Sequence, residues 1–168
     1  MESITDWTKF RKRIVINSPL DEVYAAWAKP ENLETWFLEE AKYFNKKDQP
    51  RQPDELVRKG DRFVWKWNNW DIEEKGEILD ENGADQISFT FGAGGNVYIQ
   101  MLPTASGTEV TLIQDTIPTD EKSKKEIFVG CSTGWTFWMA NLKAWLEHGI
   151  TLHATGLSQE DTADLVNS

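Results

Sequence analysis

The sequence predicts an α+β fold: a curved antiparallel sheet, two short helices after its first strand and one long C-terminal helix. Three observations carry that prediction. Across much of residues 61–117 apolar side chains recur at every second position, the period of strands joined by tight turns. Between residues 131 and 145 the spacing changes to fours and threes, the period of an amphipathic helix. The length, 168 residues at 39% hydrophobic and 27% charged, fits one ordinary globular domain with a core of its own.

The elements follow in order. Thr8 to Ile16 alternates, with Phe10, Ile14 and Ile16 turned inward and charges between them, which reads as a first strand. Ser18-Pro19-Leu20-Asp21 then opens a helix, with Ser18 as N-cap, Pro19 in the first helical position and Asp21 at the positive helix end. Leu20, Val23, Tyr24 and Trp27 follow at helical spacing. Pro30 ends that helix and starts a shorter one carrying Leu33, Trp36 and Phe37. Asn45 to Glu55, polar and holding Pro50 and Pro53, reads as a loop.

Beyond Gly60 the strands begin. Phe63, Trp65 and Trp67 share one face. Asp71 to Leu79 is an acidic strand, Asn82-Gly83 a hairpin turn, and Ile87, Phe89 and Phe91 the returning strand. Gly92-Ala93-Gly94-Gly95 turns the chain into Val97, Ile99 and Met101, and Val110 and Leu112 continue the meander to Ile117. Cys131, Trp135, Trp138, Leu142 and Trp145 line one face of the long helix, which Gly149 ends. Glu121 to Phe128 is either its first part or a separate helix. Ser158 to Val166 forms a last short helix or frays. The aromatic stripe of the long helix needs a large apolar surface to cover it, and the concave face of the sheet supplies one.

Charge excludes several functions. Residues 1–60 balance 11 basic against 11 acidic side chains, whereas residues 61–168 hold 7 and 17, so the net charge of -10 arises wholly in the second part. A nucleic-acid or anionic membrane surface needs a basic patch. The one cluster present, Lys9, Arg11, Lys12 and Arg13, alternates with Phe10 and Ile14 as the wet face of a strand. No apolar run approaches the length of a membrane span, and Met1 to Asp6 carries two acids and no hydrophobic block. With a single cysteine, Cys131, these features point to a reduced, cytoplasmic setting.

The order of elements and several short motifs resemble a known superfamily. Ile16-Asn17-Ser18-Pro19, Val23-Tyr24-Ala25-Ala26-Trp27, Pro30-Glu31 and Leu33 through Trp36-Phe37 look like the opening of the START-like (lipid-transfer-related, pollen-allergen-like) superfamily. Gly76 to Ile78, Gly107-Thr108-Glu109-Val110-Thr111-Leu112, and Gly134-Trp135 followed by Leu142 and Leu146 resemble its activator of heat-shock-protein-90 ATPase homologue, C-terminal-domain-like family. The resemblance spans residues 8–149, leaving 150–168 as a C-terminal extension of one domain. It implies a helix-grip fold whose tunnel, between helix and sheet, holds a lipid, sterol or polyketide in many relatives. It also implies a possible chaperone partner of the heat-shock-protein-90 type and a stress-response setting. Eukaryotic relatives with that activity carry a further N-terminal domain, for which this chain is not expected to have room.

Catalytic and metal constellations do not stand out. His148 and His153 fall at or after the end of the long helix, without a second ligand at metal spacing. Cys131 lies on the apolar stripe with no base beside it and reads as a small hydrophobe. The glycine run leads into a strand rather than a helix, so it is a turn and not a phosphate cradle. Asp71, Glu73, Glu74, Glu77, Asp80 and Glu81 alternate with Lys75 as a solvated strand face. Neither a cofactor nor a metal is called for, and an aromatase- or cyclase-like activity lacks an evident acid–base group.

What remains is the aromatic count: nine Trp, eight Phe and three Tyr. Either these rings close a solid core or they wall a pocket for an apolar small molecule. On the second reading Phe63, Trp65, Trp67, Phe89 and Phe91 of the sheet face Trp135, Trp138, Met139 and Leu142 of the helix across the ligand. Tyr98, Gln100 and Gln114 are polar residues that strand alternation either turns inward, to orient the ligand, or leaves in water. Binding of a lipid-like or aromatic ligand is the expected function. A chaperone-contacting module is the alternative, and oligomeric state is not legible.

Overall fold

In the computed structural model, which describes residues 4–168, seven antiparallel strands form one sheet and the helices lie on its concave side. Met1 to Ser3 of the acidic opening lie outside the described residues. The strands are β1 (Phe10–Ile16), β2 (Glu40–Phe44), β3 (Arg62–Lys66), β4 (Glu73–Glu81), β5 (Gln86–Thr90), β6 (Asn96–Thr104) and β7 (Gly107–Asp115). Their spatial order is β1-β7-β6-β5-β4-β3-β2, so every neighbour after β1 is also a sequence neighbour. The helices are α1 (Leu20–Ala28), α2 (Pro30–Trp36), α3 (Glu121–Ser123) and α4 (Gly130–His148). This is the expected α+β helix-grip arrangement.

Two details differ from expectation, and a third decides between the two alternatives for Glu121 to Phe128. β2 was not anticipated; its Ala41 and Tyr43 are buried between charged or half-buried neighbours, and it pairs with β3 through Tyr43 opposite Phe63. Ser18 does not cap α1 with its side chain: its hydroxyl donates to the Glu22 carboxylate at 3.0 Å, and the Pro19 carbonyl accepts the first helical bond from Val23. Residues 121–148 are continuous, because α3 runs through a π-helical stretch, Lys124–Val129, directly into α4.

The strand pattern explains the packing. On β6, Val97, Ile99 and Met101 are buried and face the helices, while Tyr98 and Gln100 point the other way. On β7, Val110, Leu112 and Gln114 share the buried side. Gly76 stands opposite Phe63 in the β3–β4 register, and a Cβ there would fall 2.4 Å from the Phe63 ring. The missing side chain lets that ring lie flat on the sheet and stack on Trp65, with centroids 4.0 Å apart.

Two polar fixtures hold the periphery. Arg51 donates two bonds, 2.8 and 2.9 Å, to the buried Asp61 carboxylate, which also accepts the Arg58 N–H at 2.8 Å; these pin the polar loop before β3. The C-terminal segment, whose short 3-10 helix is Gln159–Thr162, runs back along the end of α4. Asn141, fully buried on α4, accepts the Leu152 N–H at 2.6 Å on Oδ1 and donates from Nδ2 to the Trp36 carbonyl at 2.6 Å. The same Nδ2 lies 3.0 Å from His153 Nδ1. Because Oδ1 is the acceptor, Nδ2 must donate and His153 Nδ1 must accept. The tail is therefore fastened by a neutral imidazole.

Candidate functional site

The space between α4 and the sheet is occupied by rings over most of its length. Phe37, just after α2, is the hub: it stacks on Trp36 at 5.1 Å and Trp135 at 5.2 Å, and meets Trp65, Trp67 and Trp138 edge-on at 5.2–5.8 Å. Of the residues expected to line a pocket, Phe63, Trp65, Phe89, Trp135, Met139 and Leu142 are each at most 3% exposed and form this packed interior. Gln114 belongs to it too. Its Oε1 accepts the Trp135 indole N–H at 2.8 Å and its Nε2 donates to the Gly94 carbonyl at 2.9 Å, tying β7, the glycine turn and α4 together.

Tyr98 and Gln100 do not share that interior. They border a shallow groove on the outer face with Ser88 and Asp80, which corrects the expectation that they could line the inside. Strand alternation forces this, because Val97 and Ile99 take the buried side.

Trp67, Phe91 and Trp138 remain half-buried at one end of the interior. Here Trp67 follows β3, Trp138 projects from α4, and Trp70 comes from the turn leading to β4. With Asn68, Ile72, Glu74 and Ser168 they wall a cavity of ≈ 370 Å³. An adjoining groove of ≈ 480 Å³ shares Asn68 and Trp70 and is closed on its far side by residues 155–159 of the C-terminal segment. That segment is held to the site by Asn69, whose Nδ2 donates to the Ala154 carbonyl at 2.8 Å and whose Oδ1 accepts the Leu157 N–H at 3.0 Å. The His153 ring lies 5.5 Å from Trp138. Larger concavities, ≈ 720 and ≈ 630 Å³, lie on the outer flanks beside α1 and β2, away from the interior.

Glu74 corrects the reading of the acidic run as a wholly solvated strand face. It pairs with Trp65 across β3 and β4, so it lies on the inner face of the sheet, while Glu73, Lys75 and Glu77 are exposed on the other. Its carboxylate rests against Gly92, where a Cβ would come within 2.3 Å of Oε1. Burial pushes the Glu74 carboxyl above its ordinary value. Burial, and to a lesser degree the Glu74 charge, also push the Cys131 thiol up, which suits a packing residue rather than a nucleophile. Buried polar atoms without a partner among the described residues are Trp27 Nε1 and Asn68 Nδ2, the latter in the wall of the cavity.

Among the described residues no group of three or more His, Cys, Asp or Glu is placed to hold a metal ion, and no helix is long and apolar enough to cross a membrane. The site therefore offers aromatic walls and the Glu74 carboxylate.

Protein SSP2350 from Staphylococcus saprophyticus is 22% identical, with a TM-score of 0.70 over 88% of this chain and 97% of its own. Protein NE0264 from Nitrosomonas europaea is 18% identical, with a TM-score of 0.68 over 87% and 98%. The Aha1 dimer from Colwellia psychrerythraea is 14% identical, with a TM-score of 0.65 over 84% and 97%. At these identities the likeness is one of fold. Among curated proteins none matches the sequence. The sequence profile described as Activator of Hsp90 ATPase homolog 1-like protein matches residues 17–147, from the end of β1 to the last turn of α4. The chain belongs to that family.

Proposed function

We propose that this protein binds a compact apolar or aromatic small molecule at the open end of the groove between the sheet and α4. One observation carries the reading: Trp67, Trp70 and Trp138 surround a cavity of ≈ 370 Å³ at the edge of an otherwise ring-filled interior. Indoles left around a concavity gain by covering one another or by meeting a ligand. That volume is at the small end for ligand sites, and rings occupy the depth where a long acyl chain or sterol would lie. A ligand of one or two fused rings suits the space.

The test is a panel of uncharged aromatic molecules, including naphthol and a flavonoid, followed by Trp emission and melting temperature. A saturable emission shift with a concentration-dependent rise in melting temperature is expected. Trp70→Ala should weaken both responses in a folded protein. A panel that moves neither signal overturns the reading.

A second reading comes from the family's description, which makes a chaperone-contacting module the alternative. Titration into a matched heat-shock-protein-90-type ATPase assay is expected to leave turnover unchanged; a saturable rise would reverse the order of the two.

A further inference from the structure

We infer that the cavity walled by Trp67, Trp70 and Trp138 takes a small organic cation, an alkylated ammonium, its charge set against Glu74. This rests on the reading above that the open end holds a small ligand, and it specifies a charged head where that reading specifies only size and apolar surface.

The charge argument starts from Glu74. Its position in register with Trp65 places a carboxylate on the inner face of the sheet, half-buried in the cavity wall. Among the described residues it has neither an ion-pair partner nor a hydrogen-bond donor. The cations nearest in sequence are directed elsewhere: Lys75 is exposed on the opposite face of β4, and Lys66 lies 3.4 Å from Glu39. Among the described residues no Lys, Arg or His lines this cavity. An unpaired, partly desolvated carboxylate is costly, which is why burial pushes its carboxyl up. A bound cation would relieve that cost.

The remaining walls suit the same ligand. Three indoles around a concavity next to a carboxylate are the surroundings in which an alkylated ammonium is favoured, because its methyl groups carry diffuse positive charge and shed water easily against aromatic rings. Anionic ligands meet the opposite conditions: Glu74 repels them, as does a chain of net charge -10. The cavity therefore disfavours ligands of net negative charge.

The experiment titrates choline, tetramethylammonium and the carbon isostere of choline, in which a quaternary carbon replaces the nitrogen, against the full chain, reading Trp emission and calorimetry. Choline is expected to bind about tenfold more tightly than its isostere, and added salt should weaken choline alone. Glu74→Gln, nearly isosteric and checked by its melting temperature, should erase the preference without weakening the isostere. Trp70→Ala should weaken every probe. A pelleting arm with phosphatidylcholine vesicles separates the sources: choline binding without pelleting assigns a soluble cation, and pelleting in addition assigns a lipid headgroup. If the uncharged aromatic panel binds while choline shows no advantage over its isostere, the cation inference falls and the ligand reading stands. If no probe of either kind binds, both fall.

Discussion

The two ends of the space beneath α4 are built from the same residue type and finish in opposite states. In the packed interior each of three indoles finds an acceptor: Trp36 donates to the Ala26 carbonyl at 2.9 Å, Trp65 to the Tyr43 hydroxyl at 3.1 Å, and Trp135 to Gln114 at 2.8 Å. At the open end Trp67, Trp70 and Trp138 have no such protein acceptor among the described residues, and they stay at the edge of water around a cavity. Trp27 is the exception, 2% exposed without an acceptor and set edge-on to Trp36 at 4.8 Å. Burial of a Trp thus follows the polar atom it carries as much as the ring. The interior is closed by its rings; the open end keeps a cavity.

That division can be broken by mutation. Phe37→Ala removes the ring on which both regions lean, and it should cost about 3–5 kcal/mol in urea unfolding, as a large-to-small change in a close-packed core does. A cost under about 1 kcal/mol would mean that the interior is not the packed unit described.

Asn141→Ala should have the next largest effect, about 1–3 kcal/mol, because it leaves the Trp36 carbonyl and the Leu152 N–H without their partner. The loss should be local. Amides of residues 150–168 should exchange faster while those of β5 and β6 keep their protection. Equal deprotection of both would show that the C-terminal segment is part of the main cooperative unit.

Acidification tests the same fastening more gently. Burial holds His153 below its ordinary value of 6.5, and its Nδ1 must be bare to accept from Asn141. A His whose folded value is depressed is stabilising above the unfolded value, and that stability fades as pH falls through it. Protection of residues 150–168 should therefore decline below about pH 6.5 and level off once the folded imidazole is also charged. His153→Phe should flatten this profile, and an unchanged slope in that variant would place the pH response elsewhere.

The smallest effect on stability is expected at the open end itself. Trp70→Ala should change unfolding free energy by no more than about 0.5 kcal/mol, since its ring is already exposed. A cost like that of Phe37→Ala would erase the distinction between the two regions.

Much of the architecture is written in local periodicity. The alternation of Phe63 and Trp65, of Ile87 and Phe89, and of Val97 and Ile99 assigns strands without reference to anything distant. The spacing of Trp135, Trp138 and Leu142 likewise assigns the long helix. β2 escaped because five residues with two buried positions, Ala41 and Tyr43, carry too short a pattern to stand out among charges. Family membership was legible as well, in motifs whose order matched.

The site was not, and register is the reason. Glu74 reads as one more charge on a wet acidic strand until β3 pairs with β4 and sets it opposite Trp65. Glu74 shares the parity of the buried Ile78, so alternation hints at its face, but only the pairing of β4 with β3 sets its carboxylate beside Trp65 and the cavity. The split among the tryptophans has the same origin: all nine look alike along the chain, but Gln114, Tyr43 and the Ala26 carbonyl reach their indole partners only when distant elements meet. Periodicity is a property of neighbours in sequence and survives reading one residue at a time. A hydrogen-bond partner or an unpaired carboxylate is a property of neighbours in space, and the fold alone supplies those.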